Sequence, residues 1–321
     1  MHIPDGFIDG KTAVATALLS LVGVGLALRQ VKQELPPRKV PLLGLAAAFL
    51  FTAQMLNFPV AAGTSGHLIG GVLVAALLGT SAAVVVVTTV LIVQCFLFAD
   101  GGVSALGANI FNMAIVAVVA GSAAYRLLTR WLPGSRGQVT AIAFAGWFST
   151  VLASISCAGQ LALSATVSWS ASFTAMAGVH MIIGIGEGLI SALVLLFVKR
   201  TRPDLVAGGE GSSSQARISE FVGYGVLVAL GLAVFVAPFS SPWPDGLEFV
   251  AARLGFGQDA ASHVLSAPVT DYRVPGVSWA AGATAMAGAI GALVVFGLAL
   301  LLGRLLVPTP ASIAPRHQDQ P

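Results

Sequence analysis

The chain has 321 residues, of which 56% are hydrophobic and only 9% charged, with a formal net charge of +3. Soluble domains carry about 25% charged residues, so this composition, with a mean hydropathy of +0.90, belongs to a membrane protein. The charge balance is too small, and its basic residues too dispersed, for a nucleic-acid partner.

The first apolar run, roughly 12–28, follows the opening "MHIPDGFIDG". Asp5 and Asp9 precede it with only Lys11 between, while Arg29, Lys32, Arg38 and Lys39 follow. A cleaved secretory signal wants its basic residues in front. The flanks therefore favour a retained helix whose N-terminus lies outside. A second full-length run covers 41–58, and a short one covers His67 to Gly79. At 1.5 Å per residue the short run reaches only about 20 Å, so either it does not span in the ordinary way or it spans only with a re-entrant stretch before it. Six more full-length runs follow at 82–99, 105–125, 138–160, 174–198, 219–238 and 279–303. Each is long enough to cross a bilayer as a helix. Cys95 and Cys157 sit inside such runs, without a neighbouring cysteine, and suggest neither a disulfide framework nor a thiolate site.

The basic residues orient these runs. Arg126, Arg130 and Arg136 follow the fifth, Lys199, Arg200, Arg202 and Arg217 the seventh, and Arg304 the ninth. The connections 59–66, 99–104 and 161–173 contain no Lys or Arg. With the short run counted, every basic loop falls on one side. The expected fold is all-α and polytopic, with about nine spans, its basic loops and C-terminus cytoplasmic. Residues 1–203 form a seven-span core. The Gly/Ser-rich stretch 204–217 reads as a cytoplasmic linker. Residues 218–306 form a two-span unit enclosing an outside loop, 239–278, and 307–321, with His317, reads as a disordered tail. Inside the loop, Asp245 and Glu248 have capping-box spacing, Leu247, Val250, Ala251 and Leu254 share a face, and Gly255 suits a C-terminal cap. A short capped helix is a plainer reading of those acids than a metal site.

His2 has a specific chemical possibility. The α-amine of Met1, the His2 amide nitrogen and the His2 ring Nδ1 can close on one metal ion through five- and six-membered chelate rings. Such a nitrogen set, with its amide deprotonated, suits square-planar Ni(II) or Cu(II), or Co(II), and not the oxygen-seeking Mg or Ca. One planar position stays open. His67, in "NFPVAAGTSGHLIGG", is a candidate for it, since ionisable groups at membrane depth mark sites by default. A carbonyl-bonded interfacial histidine is the competing reading. Gln54, Asn57, Gln94, Asn109, Asn112 and Gln160 are further polar residues within apolar runs. Each alone is accounted for by helix packing; together they suggest a path or an orienting shell around a site. His180 and Glu187 lie seven apart on one helical face, and Asp100 reads as a solvated loop acid. No G-x-x-x-x-G-K-[ST] phosphate loop, H-E-x-x-H or G-x-S-x-G is present.

The stretches "MHIPDGF", "AAFLFTAQMLNFPVAAGTSGHLIGG", "QCFLFADGGVSALGANIFNMA" and "GVHMIIGIGEGL" resemble the CbiM/NikM family, over about residues 1–200. These are the substrate-binding components of energy-coupling-factor importers for cobalt and nickel. "PWPDGLEFVAARLGF" resembles the PDGLE domain, an accessory module, here fused to the core. The resemblance implies a bacterial cytoplasmic-membrane protein without enzymatic activity or resident cofactor, transporting Ni²⁺ or Co²⁺. Cobalt uptake would serve cobalamin biosynthesis. It implies a ligand set of the Met1 amine, the His2 amide and ring, and His67. Asn57 and Ser65 would orient the site, with Gln94, Asn109 and Asn112 behind it. The implied partners are a transmembrane coupling subunit and two ATPase subunits, besides the lipid bilayer. Gln160 stands where some relatives are expected to carry an acid. Two rivals stay open: a stand-alone secondary metal carrier, and an intramembrane metalloenzyme built on His180 and Glu187.

Overall fold

The computed structural model describes residues 1–61, 63–205, 215–261 and 265–307. Most of the expected linker at 204–217, and all of the expected tail after residue 307, including His317, lie outside the described residues.

A backbone in hydrocarbon must satisfy its own N–H and C=O groups, so the apolar runs form helices. They are α1 (Gly10–Glu34), α2 (Val40–Met55), α3 (Gly71–Leu78), α4 (Thr80–Phe98) and α5 (Leu106–Asn109). A π-helical stretch, Ile110–Val116, carries α5 into α6 (Ala117–Trp131). Then come α7 (Gly134–Leu163), α8 (Trp169–Thr201), α9 (Gln215–Phe235), α10 (Gly246–Leu254) and α11 (Ala280–Leu306). Among the described residues, seven helical stretches are long and apolar enough to cross a bilayer. α2, with 16 residues, and α3, with 8, are the short members. With them the protein is an all-α polytopic membrane protein of about nine spans.

α3 is short because glycines delimit it. Gly70 before it has φ 71° and Gly79 after it φ 97°, both in the region that glycine alone enters without strain. Ahead of α3 the chain is extended. β1 (Phe58–Pro59) pairs antiparallel with β2 (Ser65–Gly66), Phe58 opposite Gly66. Irregular backbone of this kind is tolerated where protein groups satisfy it. Here the Glu187 carboxylate accepts from the N–H groups of Ile69 and Gly70, at 2.6 and 2.9 Å. Gln54 Nε2 donates to the Ile69 carbonyl at 3.1 Å.

Small residues let the helices approach. Gly146 of α7 and Gly184 and Gly188 of α8 line the α7–α8 contact, and a Cβ on Gly188 would collide with the Ala143 carbonyl. α11 packs on α2, with Gly291 against the Phe51 ring. The C-terminal helices thus dock directly on the core. α10 has the expected capping box at Asp245 and Glu248, and Gly255 ends it with φ 83°. Leu247, Val250 and Ala251 are buried, while Leu254 is exposed. The loop around α10 lies on the N-terminal segment: Ala261 N–H donates to the Asp5 carbonyl at 2.8 Å. The rings of Phe7 and Phe256 meet edge-on at 5.2 Å.

Gly188→Val overpacks the α7–α8 contact and should destabilise the protein by about 1–3 kcal/mol, read as a lower melting temperature in detergent. Gly178→Val, on the same helix but facing open space, should leave melting unchanged.

Candidate metal centre

The Pro4-Asp5-Gly6 turn folds the N-terminus back between the helices. Gly6 has φ 92°, which the turn requires. Asp5 Oδ1 accepts from the N–H and hydroxyl of Ser104, at 2.8 and 2.6 Å. Asn109 grips Ile3 on both sides, accepting from its N–H at 2.7 Å and donating to its carbonyl at 3.1 Å. Gly102 N–H also donates to the Ile3 carbonyl, and the Pro4–Asp5 backbone fills the space that a Cβ on Gly102 would need. Residues 1 and 2 are thereby delivered to the interior end of the 65–70 segment.

There the Met1 ammonium donates to His67 Nε2 at 2.6 Å and pairs with Asp245 Oδ2 at 2.7 Å. His67 Nδ1 lies 3.3 Å from the Leu68 carbonyl. Donation from Nδ1 selects the tautomer whose Nε2 lone pair faces the terminus. At a metal–nitrogen distance of about 2.0 Å, neighbouring donors of a square plane stand about 2.8 Å apart. The amine and His67 Nε2, 2.6 Å apart, are close to that spacing.

The His2 ring stacks against the His67 ring, centroids 5.2 Å apart and planes inclined by 22°. Both its nitrogens are engaged: Nδ1 is 3.1 Å from Asp100 Oδ1 and Nε2 is 3.2 Å from Gln94 Oε1. Asp100 is therefore not the solvated acid that the sequence suggests; its other oxygen accepts from the Tyr272 hydroxyl at 2.5 Å. Burial lowers the His2 pKa despite the facing carboxylates of Asp100 and Asp245, and so favours a neutral ring able to bind a metal. Burial alone would raise the Asp245 pKa, but the terminal ammonium and His67 hold it below the usual carboxylate range. Burial, then Asp100, pushes the Tyr272 hydroxyl well above its ordinary range, so it stays a donor.

The structure brings Met1, His2, His67, Gln94 and Asn109 together. Ser65 faces the C-terminal loop instead, its hydroxyl bonded to the carbonyls of Trp243 and Pro244 and its N–H to that of Pro244. Asn57 reaches the same loop through its carbonyl, which accepts from Ser241 N–H at 2.8 Å. Asn112 does not join the cluster: it exchanges amide hydrogen bonds with Gln160, at 2.9 and 2.7 Å, beside Ser156. Glu187 is committed to the loop behind His67, and His180 Nδ1 to the Met176 carbonyl at 2.8 Å. These two residues do not form a joint metal site. Asp245, Asp100 and Tyr272 are the site neighbours that sequence reasoning missed. Asp245 is recognisable locally only as a helix cap.

These features define a multi-span membrane protein whose own N-terminus is folded against a histidine pair. The family model "Cobalt uptake substrate-specific transmembrane region", CbiM, matches residues 2–205, and the PDGLE domain matches 219–308. The chain belongs to the CbiM family and carries a fused PDGLE domain. An Archaeoglobus fulgidus protein of the fused NikMN type is 34% identical over 308 residues, covering 95% of this chain and 98% of its own. Cobalt transport protein CbiM 2 of Pelobacter propionicus is 33% identical, covering 67% of this chain and 100% of its own. A solved truncated transition metal transporter superposes with a TM-score of 0.58 at 30% identity, over 63% of this chain and 99% of its own.

Glu187→Ala leaves two buried N–H groups behind His67 without an acceptor, each worth about 1–3 kcal/mol. The melting temperature should fall, and Glu187→Gln, which keeps one acceptor oxygen, should recover part of the loss. An unchanged melt in the alanine variant would show that the carboxylate does not hold this loop.

Proposed function

We propose that the protein captures Ni²⁺ or Co²⁺ for import across the cytoplasmic membrane, through the Met1 amine, the His2 amide nitrogen, the His2 ring and His67. It acts as a transport protein and not as an enzyme. The observation that carries this reading is the Met1 amine at 2.6 Å from His67 Nε2, close to the spacing of adjacent planar donors.

Loading is a ligand exchange. The aquo ion loses its waters, the ammonium and the His2 amide each release a proton to water, and the neutral His2 ring turns Nδ1 from Asp100 to the ion with its one proton on Nε2, facing Gln94 Oε1. The two nitrogens and the amide then close the five- and six-membered rings, with His67 in the fourth position. Square-planar nitrogen ligation favours nickel. The naming of fused relatives for nickel transport, as in Rhodobacter capsulatus, supports the same cargo.

The basic-loop pattern supports an orientation with the N-terminus and the metal seat outside and the C-terminus in the cytoplasm. Nothing in the sequence provides a phosphate loop. The energy comes from separate chains, a transmembrane coupling subunit and two ATPase subunits of an energy-coupling-factor importer. Inward release follows when those partners rearrange the subunit and pull the N-terminal segment away from His67.

One residue added before Met1 moves the free amine out of the chelate. Purified protein with that extension should lose stoichiometric nickel, and retained nickel would contradict the ligand set. Because loading releases protons, affinity should fall on acidification. Equilibrium dialysis at about pH 8 and about pH 6 checks this, and equal affinities would count against amine and amide ligation.

A further inference from the structure

The C-terminal unit does more than rest on the core, because it puts a charge against the metal seat. Asp245 divides its carboxylate between two tasks. Oδ1 caps α10, accepting from the N–H groups of Leu247 and Glu248 at 2.8 and 2.9 Å. Oδ2 faces the Met1 amine at 2.7 Å and His67 Nε2 at 3.9 Å. Capping needs one oxygen and no charge, since Asn caps a helix about as well as Asp. The second oxygen serves nothing in α10.

The core holds the loop so that this oxygen points inward. Ser65 clasps the carbonyls of Trp243 and Pro244. The next residue, Gly246, lies against the His180 ring, where any Cβ would collide. A divalent ion bound to three neutral nitrogens and one deprotonated amide carries a net charge of +1. An uncompensated charge in a buried site is expensive. Asp100 stands on the His2 side and is shared with Tyr272. On the amine side the anionic group in contact is Asp245.

We propose that Asp245 is the counter-ion of the loaded metal seat, contributed by the C-terminal unit. Its Oδ2 accepts an N–H from the metal-bound amine, aims the amine lone pair at the ion and balances the charge of the chelate. The proposal rests on the ligand set proposed above. It gives the PDGLE domain a direct part in retaining the metal. A carboxylate that merely competed with the metal for the amine would have the opposite effect, weakening binding.

The test is nickel chloride titration of the full-length protein in detergent, comparing wild type, Asp245→Asn and Asp245→Ala. Asp245→Asn keeps the cap and removes the charge. Loss of a charge-assisted hydrogen bond should weaken nickel binding about tenfold or more, while the metal-free melting temperature falls less than in Asp245→Ala, because the Met1 ammonium loses its ion pair but the helix cap survives. At saturation the absorption band of planar nickel should be unchanged, because the four ligands remain. Asp245→Ala should lose both affinity and stability. Wild-type affinity in Asp245→Asn with loss only in Asp245→Ala would reduce Asp245 to a helix cap and overturn the proposal. Tighter binding in Asp245→Asn would overturn it as well, by showing competition. Wild-type protein that binds no nickel would sink the ligand set and the proposal together, whereas binding wild type with an indifferent Asp245→Asn sinks the proposal alone.

Discussion

The terminal amine, held at 2.6 Å from His67 and 2.7 Å from Asp245, is the contact around which the other elements are arranged. A chain terminus is ordinarily mobile and solvated. To fix it at membrane depth the protein grips residue 3 with Asn109, residue 5 with Ser104 and residue 6 with a glycine-only turn. Its counterpart, His67, is fixed in turn by a hairpin, a glycine-bounded short helix and the buried Glu187. Asn109, Asp5 and Glu187, which hold the two halves, each meet two hydrogen-bonding groups.

The same logic explains the fused C-terminal unit. Its helices pack on α2 through small residues, which sets the loop between them over the N-terminal segment. From there the loop meets the site on two sides. Asp245 reaches the amine, and Tyr272 reaches the His2 ring through Asp100. Fusion keeps both contacts present at the concentration of one chain, so the site does not depend on capturing a separate accessory protein.

Much of the fold was legible because hydrocarbon leaves the backbone few options. The apolar runs matched the helices, although α1 and α8 extend further than their apolar stretches, through polar residues at the ends. The short run at His67 to Gly79 was flagged by its length, and its cause, two left-handed glycines with an extended stretch before them, needed the structure. His2 and His67 were readable from chelate geometry and from motif. The capping box at Asp245 was readable too, and that local success hid the wider one. A helix cap uses one carboxylate oxygen, and nothing in the neighbouring residues tells where the other points. Asp100 and Tyr272 were missed for the same reason, since their pairing is made by packing between distant segments. Asn112 reads as a site residue because it is a polar residue in an apolar run, but an amide partner, Gln160, claims it.

The central claim is that the chain's first two residues and His67 form one planar nitrogen seat for a transition-metal ion. X-ray absorption at the metal edge of the nickel-loaded, full-length protein tests it most directly. The account predicts a four-coordinate planar shell made of nitrogen alone, with imidazole scattering from two rings. A six-coordinate, oxygen-rich shell, or one with a single imidazole, would contradict it.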